Sequence, residues 1–401
     1  MKIRTIAFAI AASAAALATP SVTPPARAAQ GTYDIPVIDD LTGAAAFLGK
    51  EEQQALELFE KLVNKQGGVD GKQLHFVFHD DESNPQVAVQ LLDDVLAQHP
   101  PLVLGSGFVS TCNAMAPLVK NGPVMYCFSP GIHPPAGSYV FTAGTSTYDQ
   151  AGALVSYFRL RDWNRIAIMT STDATGQDAD EGFQKLLSEP QNRDIKIVAH
   201  EHFNTQDVSV AAQIARIKAT NAQVFYGWAT GTPSATIFRG AVQGGLTLPM
   251  GTTGGNMTYA QMKRFAAFLP RELYMPSPLW VVGSAPKPVV ALPAAVVAKQ
   301  KDFYEAFAAA GEKPDEPSTL AWEPANLLVD AIRKLGTNVT AAQLRNYLVH
   351  LKGAAGIDGI YNFEKYPQRG LSIDNVVVTL WNPKDQRWDV VSKPTGVPLG
   401  K

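Results

Sequence analysis

Cysteine is nearly missing from this chain: Cys112 and Cys127 are the only two in 401 residues. Two thiols cannot staple a core-poor scaffold, and they cannot make a structural zinc site by themselves. A basic excess is missing too. Lys and Arg number 34 against 36 Asp and Glu, for a formal charge of −2, which argues against a partner read through its phosphates. Long apolar runs are absent beyond the N-terminus. The best candidate, residues 288–298, is short and interrupted by Pro293, so no spanning helix is expected. Several catalytic signatures are also lacking. No G-x-S-x-G is present, and no G-x-G-x-x-G opens a helix after the first strand. Gly251-Thr252-Thr253-Gly254-Gly255 is not followed by Lys-Ser or Lys-Thr.

What is present begins with an export signal. Lys2 and Arg4 precede an apolar stretch from Thr5 to Ala18, and Ala26-Arg27-Ala28 offers a small-x-small cleavage site. Residues 1–28 are therefore expected to be a signal peptide cut after Ala28. No cysteine follows the cut, so no lipid anchor is expected. Loss of Lys2, Arg4 and Arg27 takes the 34 basic residues to 31 against 36 acidic ones, a mature charge of −5. In an exported chain the two cysteines read first as a disulfide. The mature length suits two domains, and an apolar share of 46% can fill two cores.

Periodicity supplies the architecture. Tyr33–Ile38 reads as a strand. Glu51–Gln66 reads as a helix, because Ala55, Leu58, Phe59, Leu62 and Val63 fall at i, i+3, i+4, i+7 and i+8, and Gly67-Gly68 stops it. Strand and helix then alternate through Gln73–Phe78, Gln86–Gln98, Leu102–Leu104, Cys112–Lys120 and Pro123–Phe128. The alternation restarts at Gln150 and runs to Gln243. Helices over 298–310 and 323–334 follow, and a strand pair, 372–380 with 388–391, closes the chain. Short connections between alternating elements imply parallel sheets covered on both faces, so the expected class is α/β with two doubly wound, Rossmann-like lobes.

Open parallel sheets bind ligands at the carboxyl ends of their strands. Residues 106–111, 129–133, 170–178 and 227–230 lie at such ends. One of them, within Tyr126-Cys-Phe-Ser-Pro-Gly-Ile-His133, places a serine and a histidine together. A hydrolase built on Ser129 and His133 is disfavoured, because Pro130 follows the serine and no strained elbow can form; no enzymatic activity is expected. His75 and His79 with the acidic run Asp80–Glu82 suggest a metal, but the two histidines are too far apart on a strand to grip one ion, so none is expected. Binding remains. Ser110 and Thr111 stand at the start of the helix carrying Cys112, where free N–H groups favour a carboxylate or the hydroxyls simply cap. Cys112 and Cys127 sit at the same sheet edge, where a bridge is geometrically plausible.

Taken in order along the chain, several pieces resemble the type I periplasmic binding proteins of the leucine/isoleucine/valine-binding family. They are Leu41-Thr42-Gly43 with Gly49, Gly67-Gly68 with Gly71, Asp81 to Pro85, Ser129-Pro130-Gly131 and Arg165-Ile166-Ala167-Ile168. The resemblance implies two lobes joined by three hinge crossings near 142–144, 275–277 and 359–368. Lobe 1 would span 29–143 plus 277–360, and lobe 2 would span 144–276 plus 361–401. It implies a monomeric periplasmic component of an ABC importer, with a membrane permease as partner, no cofactor, no nucleic acid and no insertion into the membrane. By the same resemblance Ser110 meets a ligand carboxylate, Ile132 and His133 match a backbone-and-threonine pair, and Thr175 stands where the family has a tyrosine. Trp228 and Ala229 match a later aromatic, and Phe47 matches the aromatic of the first loop. The family's ammonium-holding acid falls in 251–256, around Thr253 and Asn256, where this chain has no acid. Without it the expected ligand is an aromatic acid such as a hydroxybenzoate or coumarate. A hydrophobic amino acid becomes the alternative if Asp173 or Asp178 supplies the missing charge. A ligand sensor of the same fold is a further alternative.

Overall fold

The computed structural model describes residues 31–285 and 289–400; the expected leader, residues 1–28, lies outside them. The first sheet is five parallel strands: β1 (Thr32–Asp39), β2 (Gln73–Asp80), β3 (Leu102–Leu104), β4 (Val124–Cys127) and β5 (Val140–Thr142), in the order β2-β1-β3-β4-β5. The second begins with β6 (Arg165–Ser171), β7 (Lys196–Phe203), β8 (Val224–Trp228), β9 (Met250–Gly251) and β10 (Leu273–Pro278). A small hairpin, β11 (Lys352–Ala355) with β12 (Ile360–Asn362), precedes β13 (Val376–Asn382) and β14 (Arg387–Val390). The second sheet runs β14-β13-β10-β9-β8-β6-β7, with β13 antiparallel to both of its neighbours. The strand order reverses at β1 in one sheet and at β6 in the other. Those two switch points are where crevices open above a doubly wound sheet.

Strand alternation explains the layering. Val37 and Leu104 point to one side of the first sheet, and their neighbours Ile38 and Val103 point to the other. On the first side pack helices α1 (Ala46–Lys65) and, late in the chain, residues 294–310 and 316–335. Phe59 meets Trp322 at a centroid distance of 5.0 Å, and Trp322 meets Phe303 at 5.1 Å. On the second side pack α2 (Pro85–Leu96) and α3 (Val109–Met115), burying Leu92, Val95 and Met115. Buried Cys112 and Cys127 form a disulfide between α3 and the end of β4, with Cα atoms 6.2 Å apart. In the second lobe α4 (Thr147–Arg159), α5 (Ala174–Ser188), α6 (Ala211–Lys218), α7 (Thr232–Gln243) and α8 (Tyr259–Phe265) flank the sheet. The chain returns to the first lobe through α9 (Trp280–Gly283), α10 (Ala294–Ala310), α11 (Glu316–Leu335) and α12 (Ala341–Val349). No described helix is long and apolar enough to cross a membrane.

Some elements differ from the expectations. The helix expected over 323–334 starts at Glu316, capped by Asp315 with Ser318 answering in a capping box. Pro324, which looks like a first-turn proline, lies inside the helix, and Pro317 takes the early position. The last strand pair begins at Val376, because Ile373–Asn375 form a turn capped by Ser372. Strand β10 carries Pro276 and Pro278, which argue against a strand in sequence. It survives because β9 pairs only with Leu273 and Tyr274, so neither proline faces a ladder partner on that side.

Candidate functional site in the interlobe cleft

The loops after β1, β3, β6 and β8 face one another across the lobes, as the two switch points dictate. They enclose a cavity of about 460 Å³. Phe47, Leu48, Phe108 and Ser110 line it from the first lobe, and Thr175 and Thr230 from the second. Behind it lies a tight recess of about 40 Å³, walled by Ser129, Gly131, Asp178, Trp228, Thr253 and Glu316. The outer space can take an apolar side chain; the inner one offers polar groups at its walls.

The Ser129–His133 turn shapes that recess. Thr142 Oγ1 donates to the Ser129 carbonyl at 2.6 Å, while Ser129 Oγ is buried with no partner. Gly131 keeps the turn close to the opposite lobe. A Cβ there would lie 2.8 Å from Val109 and 3.2 Å from Asp178 Oδ2. Arg369 fixes the turn from behind, donating to the carbonyls of Pro130 and Ile132 at 3.0 and 2.8 Å and to those of Ala143 and Gly144 at the first crossing. His133 turns away from both cavities. Its ring is half exposed, and Nε2 lies 2.5 Å from Asp178 Oδ1, so it joins the lobes at the rim.

The other expected residues divide into lining and bracing. Phe47, Ser110, Thr175, Trp228 and Thr253 reach a cavity wall. Phe47 packs on Gly231, where a side chain would come within 2.3 Å of its ring. Trp228 is buried, with its ring edge-on to Phe183 at 5.6 Å. Thr111 is buried and bonds Ser106 Oγ and the Phe108 carbonyl, so it holds the β3–α3 loop in place. The Ile132 carbonyl is taken by Arg369. Asn256 donates to the Ala229 carbonyl at 2.8 Å and accepts from the Gly231 N–H at 3.0 Å, which fixes the loop carrying Thr230. Ala229 is buried and offers the cavity no free polar group.

The charge of the recess comes from acids. Asp173 is occupied, accepting from Ser171 Oγ and from the Gly176 N–H as the cap of α5. Asp178, one turn further on, presents Oδ2 buried and unpartnered on a side chain only 11% exposed. Glu316 is fully buried at the start of α11, accepts from Trp280 Nε1 at 2.7 Å, and is pushed up to about 8 by burial. Among the described residues no Lys or Arg lines either cavity. Phe108, Glu316 and Arg369 were not singled out in sequence. Arg369 lies just past the expected third crossing, in a run whose backbone partners cannot be read from pattern.

This architecture has many relatives. The family model described as "Periplasmic binding protein" matches residues 32–379. An amino acid binding protein of Pseudomonas aeruginosa is 21% identical over 350 residues, covering 86% of this chain and 88% of its own. A leucine-, isoleucine-, valine-, threonine- and alanine-binding protein from the same organism is 24% identical over 225 residues, covering 54% of this chain and 59% of its own. Among solved structures, an extracellular ligand-binding receptor from Rhodopseudomonas palustris HaA2 superposes with a TM-score of 0.78 at 16% identity, over 90% of this chain and all of that one. The branched-chain amino acid transporter substrate-binding protein LivJ of Streptococcus pneumoniae, solved with isoleucine, superposes at 0.73 with 19% identity, over 90% of this chain and 99% of that one. Two doubly wound lobes around a cleft and a family match over residues 32–379 agree: the chain belongs to the type I periplasmic binding proteins, a family of non-enzymatic solute-binding proteins normally exported to the periplasm.

Proposed function

We propose that this protein is the solute-binding component of an ABC importer and closes on a small zwitterion, a hydrophobic or aromatic α-amino acid. Asp178 carries the reading. Its inner oxygen is buried without a partner in a recess lined by no basic side chain among the described residues. His133 already pairs with the outer oxygen and the buried Arg369 guanidinium acts on the group from behind, so the inner oxygen lacks a hydrogen-bond donor, and a ligand ammonium supplies one. Ser110 and Thr175 offer hydroxyls to the ligand carboxylate, and Phe47, Leu48 and Phe108 receive its side chain. His133, which holds the other oxygen of Asp178, couples occupancy to lobe contact. The permease then reads the closed form, a population shift set by the ligand's differential affinity. The leader is removed after Ala28 by this reading, and the mature chain works as a monomer.

The aromatic wall favours a second reading, an aromatic acid without an ammonium. Thermal melting with two panels separates them. One panel holds leucine, isoleucine, valine and phenylalanine; the other holds benzoate, hydroxybenzoates and coumarate. A ligand bound only by the folded state raises the melting temperature. Amino acids are expected to raise it, and Asp178→Asn should weaken them roughly ten- to a hundredfold, the worth of about 1.5–3 kcal/mol for a hydrogen bond to a charged group. Shifts with aromatic acids alone, unchanged in Asp178→Asn, would establish the second reading.

A further inference from the structure

A cluster outside the cleft suggests another site. His200 and His202 stand two residues apart on β7, so their side chains leave the same face of the strand. Their rings lie 4.7 Å apart. Both Nε2 atoms converge on Asp180 of α5, at 2.8 Å to Oδ1 and 2.9 Å to Oδ2. Thr170 Oγ1 donates to the same carboxylate at 2.9 Å and fixes its orientation. One ligand atom from each of the three residues lies within 4.8 Å of the others. The side chains remain partly open to solvent, at 36%, 48% and 26% exposure for His200, His202 and Asp180.

We propose that Asp180, His200 and His202 bind one divalent transition-metal ion of the zinc class. Two imidazoles and a carboxylate suit zinc, cobalt, nickel or copper, whereas magnesium and calcium prefer oxygen ligands throughout. Metal–ligand bonds of about 2.0–2.2 Å place tetrahedral ligand atoms roughly 3.3 Å apart, so a small outward shift from the present contacts admits the ion. The ion takes the place of the protons between the Nε2 atoms and the carboxylate; each ring binds as neutral imidazole with its remaining proton on Nδ1, and any proton beyond that leaves to solvent. Water fills the remaining position on the exposed side. Thr170 acts as the outer partner that orients the ligating carboxylate. The consequence is mechanical. β7 is the edge strand of the second sheet, and α5 presents Thr175 and Asp178 to the cleft. An ion bonded to both elements ties the cleft helix to the sheet edge.

The test uses the mature full-length protein, free of any histidine tag and stripped with chelator. Zinc chloride is titrated calorimetrically, and cobalt chloride is followed by its visible absorption. One equivalent is expected to bind and to raise the melting temperature. His202→Ala and Asp180→Asn should each weaken zinc binding roughly tenfold or more. His75→Ala, at the histidine pair of β2, should leave it unchanged. All three substituted side chains are partly exposed, so circular dichroism and the zinc-free melting temperature are expected to stay close to the natural protein's. Absence of a saturable one-equivalent site would overturn the proposal, as would equal affinity in His202→Ala and the natural protein.

Discussion

Replacing Arg369 with alanine should destabilise the protein by about 3 kcal/mol or more, lowering the melting temperature by roughly 5 °C. The guanidinium is buried, and burial pulls it down to about 10, with Asp149 and Asp178 acting against that shift. It donates to four backbone carbonyls at once, two in the Pro130–Ile132 turn and two at the first crossing. Its neighbour Gln368 accepts from the Gly137 N–H and donates to the Ser138 carbonyl. One short segment thus fastens the turn, the first crossing and the last crossing together. Alanine would strand those carbonyls away from water, and the cost of such groups exceeds the net worth of the bonds they made. Arg369→Lys keeps the charge but not the planar fork, so it should recover only part of the loss. Urea denaturation gives the free energies. A loss below about 1 kcal/mol in Arg369→Ala would mean that water replaces the guanidinium at the hinge.

The second large effect concerns pH. Asp39, Asp40, Glu52 and Asp81 cluster fully buried where β1, β2 and α1 meet. Only some oxygens are served: Ser106 Oγ donates to Asp40, the Asp40 N–H to Asp39 and the Ser83 N–H to Asp81. Both Glu52 oxygens and one oxygen of each aspartate have no partner outside the cluster, where Glu52 faces Asp39 and Asp81 faces Asp40. Burial pushes all four carboxyls up, and repulsion from neighbouring carboxylates adds to it, while hydrogen bonds pull Asp39 and Asp81 partly back; Asp39 rises to about 7. The sign follows from proton counting. Below the ordinary carboxylate range both states are protonated, and the neutral cluster is tolerated. Above it the unfolded chain releases protons that the native cluster retains, so stability falls as pH rises, until the native groups also ionise. One proton retained by the cluster costs about 1.4 kcal/mol for each pH unit over which the native state holds it and the unfolded chain does not. Glu52→Gln should flatten this profile, because an amide stays neutral and can donate to Asp39. The variant should match the natural protein near pH 4.5 and exceed it at pH 8. Parallel curves over that range would rule out a proton-sharing cluster.

Much of the fold was legible because it rests on local pattern. The 3.6-residue stripe of α1, the apolar triplet of β3 and the alternation of short strands with helices all encode parallel sheets. The places that failed are those where the partner decides. Pro324 looks like a helix start, yet a capping box opened by Asp315 and the pull of Trp322 into the core keep it inside α11. β10 reads poorly because of its prolines, yet its ladder to β9 ends at Tyr274, and Pro276 and Pro278 pair only with β13 on the other side.

The site divides in the same way. Sequence alone placed ligand-facing loops at the ends of strands, and it placed Phe47, Ser110, Thr175, Trp228 and Thr253 where they line the cleft. It also marked Asp178 as an acid that could restore the missing charge. Only the tertiary structure decided which oxygen of that acid is left unpaired, that His133 spends its ring on the same carboxylate at the rim, and that Arg369, more than two hundred residues away in sequence, holds the turn that shapes the recess. The reason is physical. Propensity and periodicity are carried by neighbours a few residues apart. The charge, burial and pairing of a polar group are set by whatever chain segment folds against it.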